Sequence, residues 1–293
     1  MRQASGRNVG VNGRNVYVEE SGTGSEWVVF EAGQGCGRTC WDALLPLLHD
    51  QARLVAYDRA GFGRSGRVAG DLSIDDMAAD LVQMVETVVP GKLVLVAHSM
   101  GGLVARRAAE SLSSRLSGLL LIDPTPETAP VYDTWDRTTA KIDKGLAVAQ
   151  VLTRFRPFRR LASGNMRRLF PPDTYEAMLA ENLTPAGIAQ TRSEVKAVAA
   201  AIPRFRARPP ALPRCEALVL SAGHTPKGKA EIYTGIREHQ RRYAESLPDG
   251  RCEVIDSGHF IQAEQPHVVA AALGRLLRPH ADTRTHGPGQ DFG

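Results

Sequence analysis

The sequence lacks the features that mark secreted, membrane-spanning and metal-binding proteins. It has only four cysteines in 293 residues, and no second Cys or His pair completes a zinc pattern with Cys36 and Cys40. We therefore expect buried thiols in a reducing compartment rather than a disulfide framework. No apolar run is long enough to cross a bilayer, and residues 1–10 lack the apolar core of a signal peptide. These absences predict a cytoplasmic protein with no stable membrane insertion.

An excess of charge of one sign is also missing. Lys and Arg total 36 against 32 Asp and Glu, and the net charge of +4 gives little reason to expect a nucleic-acid partner. One local exception is the stretch 154–168, which holds six arginines and no acidic residue. A solvated arginine face on a helix is the favoured interpretation, and contact with an anionic substrate or a membrane surface is the alternative.

Short apolar or alternating segments, typical of strands, recur along the chain. Helical patterns separate them from the third strand onward, including residues 39–49 with a break at Pro46, and a helix capped by Ser73 that ends near 88. This alternation predicts an α/β fold, with a mostly parallel eight-stranded sheet, helices on both faces and an antiparallel hairpin at the N-terminal edge. The predicted strands are 8–11, 15–19, 27–30, 53–57, 93–96, 119–122, 217–221 and 252–255, and two further helices are predicted at 236–247 and 266–278.

One region interrupts the alternation. Residues 125–212 contain helical patterns and prolines but no convincing strand. We therefore expect a helical cap, inserted between two strands of one sheet and lying over the strand ends where open α/β sheets bind ligands. The predicted organisation is a core in two parts, 1–124 and 213–278, the cap 125–212, and a flexible tail 279–293.

The most informative stretch is 93–102, which reads LVLVAHSMGG. An apolar run typical of a central strand leads to Ser99, and a helix-forming segment follows. A serine in a tight turn between a buried strand and a helix is a nucleophile elbow, in which Ala97 and Gly101 provide the small flanking residues. The alternative is a serine that only caps a helix. The strand, the helix and a histidine downstream together favour the nucleophile.

Three further segments accompany the elbow 97–102 (AHSMGG): 31–35 (EAGQG), 57–65 (YDRAGFGRS) and 257–260 (SGHF). In this order the four segments resemble the α/β-hydrolase family over nearly all of the first 278 positions. The chain is similar to the esterase, lactonase and C–C hydrolase branch with a helical cap. The resemblance implies that Ser99 is the nucleophile and that His259 is its base. It implies no cofactor and no metal, and a structural role for the glycine-rich loop 58–66.

The resemblance leaves the acid of the triad open. Many members of the family carry an aspartate just after the strand that here is 217–221, but no carboxylate follows it. In the family's other arrangement the acid ends the strand after the elbow, which is the position of Asp123. Asp123 is therefore the favoured acid, with a turn carboxylate before proline as the alternative role. Asp256 and Glu231 are the alternative acids.

The resemblance also implies an oxyanion hole, formed by the backbone N–H groups of Gln34 and Met100. Gly33, Gly35 and His98 are expected to border the substrate, with His98 shaping the pocket floor rather than exchanging protons.

Together these residues predict a serine hydrolase that cleaves a small-molecule carboxylic ester or lactone through an acyl-enzyme. A C–C bond hydrolase is the near alternative. A non-hydrolytic lyase or cyclase, or a receptor for a small ligand, would use the same pocket differently. The sequence determines neither the substrate nor the oligomeric state.

Overall fold

A computed structural model describes residues 5–164 and 166–278 of the chain. Its strands are β1 (Ser5–Val11), β2 (Arg14–Ser21), β3 (Glu26–Glu31), β4 (Ala52–Asp58), β5 (Leu93–His98), β6 (Leu116–Ile122), β7 (Glu216–Ala222) and β8 (Gly250–Ile255). They form one sheet in the order β1-β2-β4-β3-β5-β6-β7-β8. The β1–β2 and β2–β4 pairs are antiparallel, and the others are parallel. The predicted mostly parallel eight-stranded sheet is confirmed.

The N-terminal edge of the sheet is the predicted hairpin. Asn12 and Gly13 connect its strands with φ values of 46° and 73°. Two-residue turns of this left-handed kind match the twist of the strands they join, and Asn-Gly adopts them at low cost. The turn sets Val9 opposite Val16, and both side chains are buried.

Strand β5 is the centre of the sheet, and all six of its residues are buried. Leu93, Leu95 and Ala97 contribute to the hydrophobic cluster on one face, while Val94 and Val96 contribute to the cluster on the other. This alternation follows from the two-residue period of a strand, with both faces covered by helices. The residue that follows β5 therefore emerges at the middle of the carboxyl edge of the sheet.

The helix that begins after Ser73 agrees closely with its prediction. It runs from Ile74 to Val88, and the Ser73 and Asp76 side chains each bond the other residue's backbone N–H in a capping box. The helices are α1 (Leu45–Leu48), α2 (Ile74–Val88), α3 (Gly101–Leu112), α4 (Trp135–Leu152), α5 (Arg156–Ala162), α6 (Met166–Leu169), α7 (Pro172–Glu181), α8 (Pro185–Ala207), α9 (Ala230–Ser246), α10 (Ile261–Glu264) and α11 (Pro266–Leu276). None of the helices in the described ranges is long and apolar enough to span a bilayer.

Two helix predictions were wrong in detail. The helix predicted over 39–49 is a 3-10 turn, Arg38–Trp41, followed by the short α1, and Pro46 lies in the first turn of α1. Proline is well tolerated there because the first N–H groups of a helix have no partner within it. Helix α9 begins at Ala230 rather than near 236. No side chain caps the start of α9, and only Gln240 and Ala244, far from that start, are buried, so the local sequence does not mark where the helix begins.

Residues 123–215, between β6 and β7, form the inserted segment. Its described residues contain helices α4 to α8 and no strand, and α8 packs against both α4 and the core helix α2. The assignment of 125–212 as a separate cap stays a prediction. The predicted flexible tail, 279–293, lies outside the described residues.

Candidate active site

Ser99 stands in the turn between β5 and α3 with a φ of 56°. A left-handed backbone is unfavourable for a residue with a Cβ atom and persists only where the surroundings enforce it. Here the Ser99 N–H donates to the Ile122 carbonyl (3.0 Å), and the Ser99 carbonyl accepts from the N–H groups of Gly102 (2.9 Å) and Thr125 (3.1 Å). These backbone bonds hold the serine in the conformation expected of a nucleophile elbow.

The close approach of α3 to the sheet explains the glycine two residues after Ser99. A Cβ atom on Gly101 would lie 2.5 Å from the carbonyl oxygen of Ala32 and 2.8 Å from that of Glu31. Neither backbone atom can move far, because Glu31 ends β3 and pairs with Ala97 of β5. A side chain at position 101 would therefore push the elbow away from the loop that follows β3.

Three side chains from distant parts of the chain form one line of hydrogen bonds. The Ser99 hydroxyl lies 3.0 Å from Nε2 of His259, and Nδ1 of His259 lies 2.6 Å from Oδ2 of Asp123. In this arrangement the carboxylate accepts from the Nδ1–H group, which leaves the Nε2 lone pair facing the hydroxyl. His259 is on the loop after β8, and its side chain is 46% exposed. The sheet therefore brings the predicted serine, histidine and aspartate together at its carboxyl edge.

The second oxygen of Asp123 is held by groups that the sequence analysis did not identify. Oδ1 accepts from Nε2 of Gln240 (2.9 Å) and from the N–H of Ala222 (3.2 Å). Gln240 is 1% exposed, and its carbonyl oxygen accepts a hydrogen bond from the Ser221 hydroxyl. A single glutamine on a polar helix carries no sequence signal of this role.

These contacts keep Asp123 ionised. Burial raises the pKa of Asp123, but the hydrogen bonds from His259, Gln240 and Ala222 outweigh it, so the pKa lies below its ordinary value. The two alternative acids are elsewhere. Asp256 bonds His224 (2.9 Å) and has a side chain 98% exposed, and Glu231 is exposed in the first turn of α9.

His98 lies directly behind His259. It is 1% exposed, its Nε2–H donates to the carbonyl oxygen of His259 (2.9 Å), and the two rings are 4.6 Å apart. Burial and the neighbouring His259 lower the pKa of His98 to about 3, so its ring is neutral at physiological pH. A Cβ atom on Gly33 would lie 2.6 Å from Nδ1 of His98 and 3.3 Å from Cβ of Ser99. Gly33, in the loop after β3, is therefore in contact with both His98 and Ser99. Because His98 is buried, its own contacts are mainly with other protein atoms.

The two predicted oxyanion donors are the residues that come directly after Gly33 and Ser99, which approach each other closely. Met100 follows Ser99 directly, and Gln34 follows Gly33 in the loop after β3. Within the described part of the chain, neither the Gln34 nor the Met100 N–H has a hydrogen-bond acceptor. Their assignment as oxyanion donors stays a prediction.

The arginine-rich stretch lies in the inserted segment, and most of its described arginines are exposed. Arg160 pairs with Glu176 (2.9 Å), with both side chains more than half exposed. Phe155 and Leu161, between the arginines, also face outward, with exposed fractions of 62% and 77%, whereas Met166 is partly buried against the core. The four cysteines are free, and Cys36, Cys40 and Cys215 are buried as expected, whereas Cys252 is partly exposed.

Comparisons with known proteins agree with this architecture. The family model described as "Alpha/beta hydrolase family" matches residues 28–272. The pimeloyl-[acyl-carrier protein] methyl ester esterase of Edwardsiella ictaluri is 34% identical over 111 residues, 38% of this chain and 41% of that protein. The non-heme haloperoxidase of Rhodococcus erythropolis is 32% identical over 117 residues, 39% of this chain and 42% of that protein. The alignments therefore span less than half the length of these relatives.

Solved structures extend the likeness over nearly the whole chain. The enol-lactonase from Burkholderia xenovorans superimposes with a TM-score of 0.67 at 20% identity, covering 92% of this chain and 99% of that one. Identity at this level shows the fold alone. The matched family model, the observed sheet order and the serine at the carboxyl end of β5 lead to one conclusion: the chain belongs to the α/β-hydrolase family.

Proposed function

We propose that the protein is a serine hydrolase that cleaves a carboxylic ester or lactone through an acyl-enzyme intermediate. The observation that supports this most is the line from Ser99 through His259 to Asp123, with distances of 3.0 and 2.6 Å. A serine hydroxyl is a weak nucleophile until a base takes its proton, and this geometry provides that base.

In the first half of the reaction, the Ser99 oxygen attacks the substrate carbonyl carbon while its proton passes to Nε2 of His259. Asp123 holds the imidazole in the required tautomer and stabilises the imidazolium that forms. The tetrahedral intermediate then collapses, the bond between the acyl carbon and the alcohol oxygen breaks, and the imidazolium protonates the leaving alcohol. In a lactone this alcohol stays attached to the acyl group.

The developing negative charge on the carbonyl oxygen would be met by the N–H groups of Gln34 and Met100. Donors fixed before the reaction stabilise such a charge without reorganisation, and losing one raises the barrier by roughly 3 kcal/mol. Gly33 and Gly35, which flank Gln34, would border the acyl carbon, with His98 behind the base.

In the second half, His259 removes a proton from water and the resulting hydroxide attacks the acyl carbon. The ester bond to Ser99 breaks, its oxygen regains the proton from the imidazolium, and the carboxylic acid leaves. Every step uses side chains and backbone groups of this chain and water. We place the substrate under residues 125–212, as a cap over the carboxyl edge of the sheet.

The choice of an ester or lactone is also supported by the relatives. The relative from Edwardsiella ictaluri is named a methyl ester esterase, and the enol-lactonase shares the fold of this chain. A C–C bond hydrolase uses the same nucleophile on a diketone-type substrate. A lyase, a cyclase or a small-ligand receptor would keep the pocket without forming an acyl-serine.

Hydrolysis of a panel of p-nitrophenyl esters and lactones tests the proposal. We expect turnover by the unmodified protein, labelling of one serine by a fluorophosphonate, and a loss of kcat of roughly 10⁴-fold or more in Ser99→Ala. Ser257→Ala is the matched control, because Ser257 is buried two residues from His259 and its hydroxyl has no partner in the described residues. Equal turnover in the two variants, or no labelling of Ser99, would exclude the acyl-enzyme.

A further inference from the structure

A buried arginine fixes the first part of the loop that follows β3. Arg59 is 4% exposed and uses all five of its N–H donors. Two donors bond Glu194 (2.7 and 2.9 Å) and one bonds Glu31 (2.7 Å). The other two bond the carbonyl oxygens of Ala32 (2.6 Å) and Gly33 (2.8 Å). Because the guanidinium is planar and rigid, it holds these acceptors in a fixed arrangement.

The inserted segment fixes the second part of the same loop. Glu194 of α8 is fully buried, and its other oxygen accepts the N–H of Gly35 at 2.8 Å. Gly35 has a φ of 71°, and a Cβ atom there would lie 3.2 Å from the Thr191 side chain of α8. Gln34, whose N–H has no acceptor in the described residues, therefore lies between two residues whose backbone atoms are held by Arg59 and Glu194.

Stability alone is a poor explanation for this network. Glu31 and Glu194 are both fully buried around one guanidinium, and burial raises the pKa of each carboxyl although Arg59 lowers it. Buried ion groups of this kind lose so much hydration that apolar replacements are often as stable. The network provides directed bonds to the backbone of Ala32, Gly33 and Gly35, on both sides of Gln34, which an apolar cluster would not provide.

We propose that Arg59 and Glu194 are positioning residues that hold the loop 32–35 so that the Gln34 N–H faces the substrate carbonyl oxygen. Helix α8 of the inserted segment would thereby take part in forming the oxyanion hole. This inference rests on the proposed hydrolase function, and it extends that function to residues which touch no substrate.

The test compares two nearly isosteric changes, Glu194→Gln and Glu181→Gln. In Glu194→Gln one carboxylate oxygen becomes an NH₂ group, so either the Gly35 N–H or Arg59 loses its acceptor. Glu181, at the end of α7, also joins the inserted segment to the core, through Arg38 (2.6 Å) and Arg64 (3.0 Å). It has no hydrogen bond to residues 32–35, so it controls for the loss of a tether between segment and core.

We expect Glu194→Gln to lower kcat on p-nitrophenyl esters by about 30- to 300-fold, with KM changed by no more than about threefold. The affinity for a boronic acid that forms a tetrahedral adduct with Ser99 should fall by the same factor as kcat/KM, because both depend on the oxyanion donors. Glu181→Gln should change each quantity by no more than about threefold. If Glu194→Gln fails to fold, Glu194→Asp keeps the charge and should show a smaller loss in the same two quantities.

Amide hydrogen exchange separates a failure of this inference from a failure of the proposed function. Exchange in residues 33–36 should become at least about 10-fold faster in Glu194→Gln and stay unchanged in Glu181→Gln. Faster exchange supports the positioning role of Glu194 even if the unmodified protein proves to have no esterase activity. Unchanged exchange, or equal losses of kcat and boronate affinity in the two variants, would overturn the proposal.

Discussion

At the residue scale, the candidate site consists of groups whose chemistry is set by their neighbours. Asp123 stays ionised because His259, Gln240 and the Ala222 N–H all donate to it. The two bonds from the protein side also fix the plane of the carboxylate, which directs its other oxygen at Nδ1 of His259. This environment distinguishes Asp123 from Asp256, which points into solvent.

The assignment of Asp123 as the acid can be tested by replacing one of its carboxylate oxygens with an NH₂ group. In Asp123→Asn the side chain keeps its shape but can no longer stabilise an imidazolium, and it favours the wrong tautomer of His259. We expect kcat to fall by roughly 10³- to 10⁴-fold, with KM little changed. Steady-state kinetics on the best ester of the panel measures this. Asp256→Asn is the control and should stay within about twofold; the reverse result would reassign the acid.

The residue scale is also where sequence analysis missed most. Ser99 and His259 lie in recognisable local patterns, a strand–turn–helix and a Gly-His turn before the last helix. Gln240 and Glu194 lie in helices where many polar residues occur, and only their burial, 1% and 0% exposed, distinguishes them. Burial of a polar side chain depends on what packs over its helix, and no local pattern encodes that.

At the element scale, the lengths and ends of helices follow local chemistry where that chemistry is strong. Helix α2 has a capping box at Ser73 and an apolar face that includes Met77, Leu81 and Val85, so its predicted bounds are confirmed. Helix α9 has neither a capping side chain nor a broad apolar face, and its start was misplaced. Contacts made by a helix can also depend on residues far away in sequence. Arg206 of α8 donates to the carbonyls of Glu127 and Ala129, 79 and 77 positions earlier, and no local pattern predicts these bonds.

The capping box at the start of α2 should affect the stability of the protein and leave its activity unchanged. Ser73→Ala removes the acceptor of the Asp76 N–H, 3.1 Å away, and leaves this donor at the helix start without its side-chain partner. We expect the free energy of unfolding to fall by about 1 kcal/mol, measured by urea denaturation, with kcat unchanged. Ser113→Ala, at an exposed position after α3, should change it by less than about 0.5 kcal/mol. Equal effects of the two changes would mean that the capping box does not stabilise α2.

At the scale of the whole molecule, the sheet is the device that assembles the site. Ser99, Asp123 and His259 each follow a strand, and the parallel arrangement of β5, β6 and β8 sends all three to the same edge. The bonds of His259 span 160 positions to Ser99 and 136 to Asp123. Unfolding of the sheet must therefore separate these three residues. The protonation of a buried group beside them consequently affects the stability of the whole fold.

His98 should make that stability sensitive to acid. Its pKa is lowered from 6.5 to about 3 in the folded chain, so between these values the unfolded chain binds a proton that the folded chain does not. The contribution of His98 is fully present above pH 6.5 and is lost as the pH falls toward 3. From this residue alone the free energy of unfolding should decrease by up to about 1.4 kcal/mol per pH unit below pH 6.

Denaturant titrations of the unmodified protein and of His98→Gln between pH 4 and 8 measure this contribution. The variant lacks the titrating ring, so its stability should fall less steeply below pH 6. His267→Gln, at an exposed position of α11, is the control and should reproduce the slope of the unmodified protein. Parallel curves for all three proteins would show that the pKa of His98 is not lowered by folding.

The amino-acid sequence alone predicts the eight strands, the hairpin turn at Asn12-Gly13, the elbow around Ser99 and the α/β-hydrolase architecture. These features depend on short-range chemistry: the period of apolar residues, the conformations open to glycine and asparagine, and the capping of helix ends. The packing of the folded chain, by contrast, determines that Asp123, and not Asp256 or Glu231, meets His259. It alone placed Arg59 and Glu194 on both sides of Gln34 and Gln240 behind Asp123. Such contacts join residues more than 100 positions apart, and their geometry follows from how helices pack on the sheet, which no local pattern specifies.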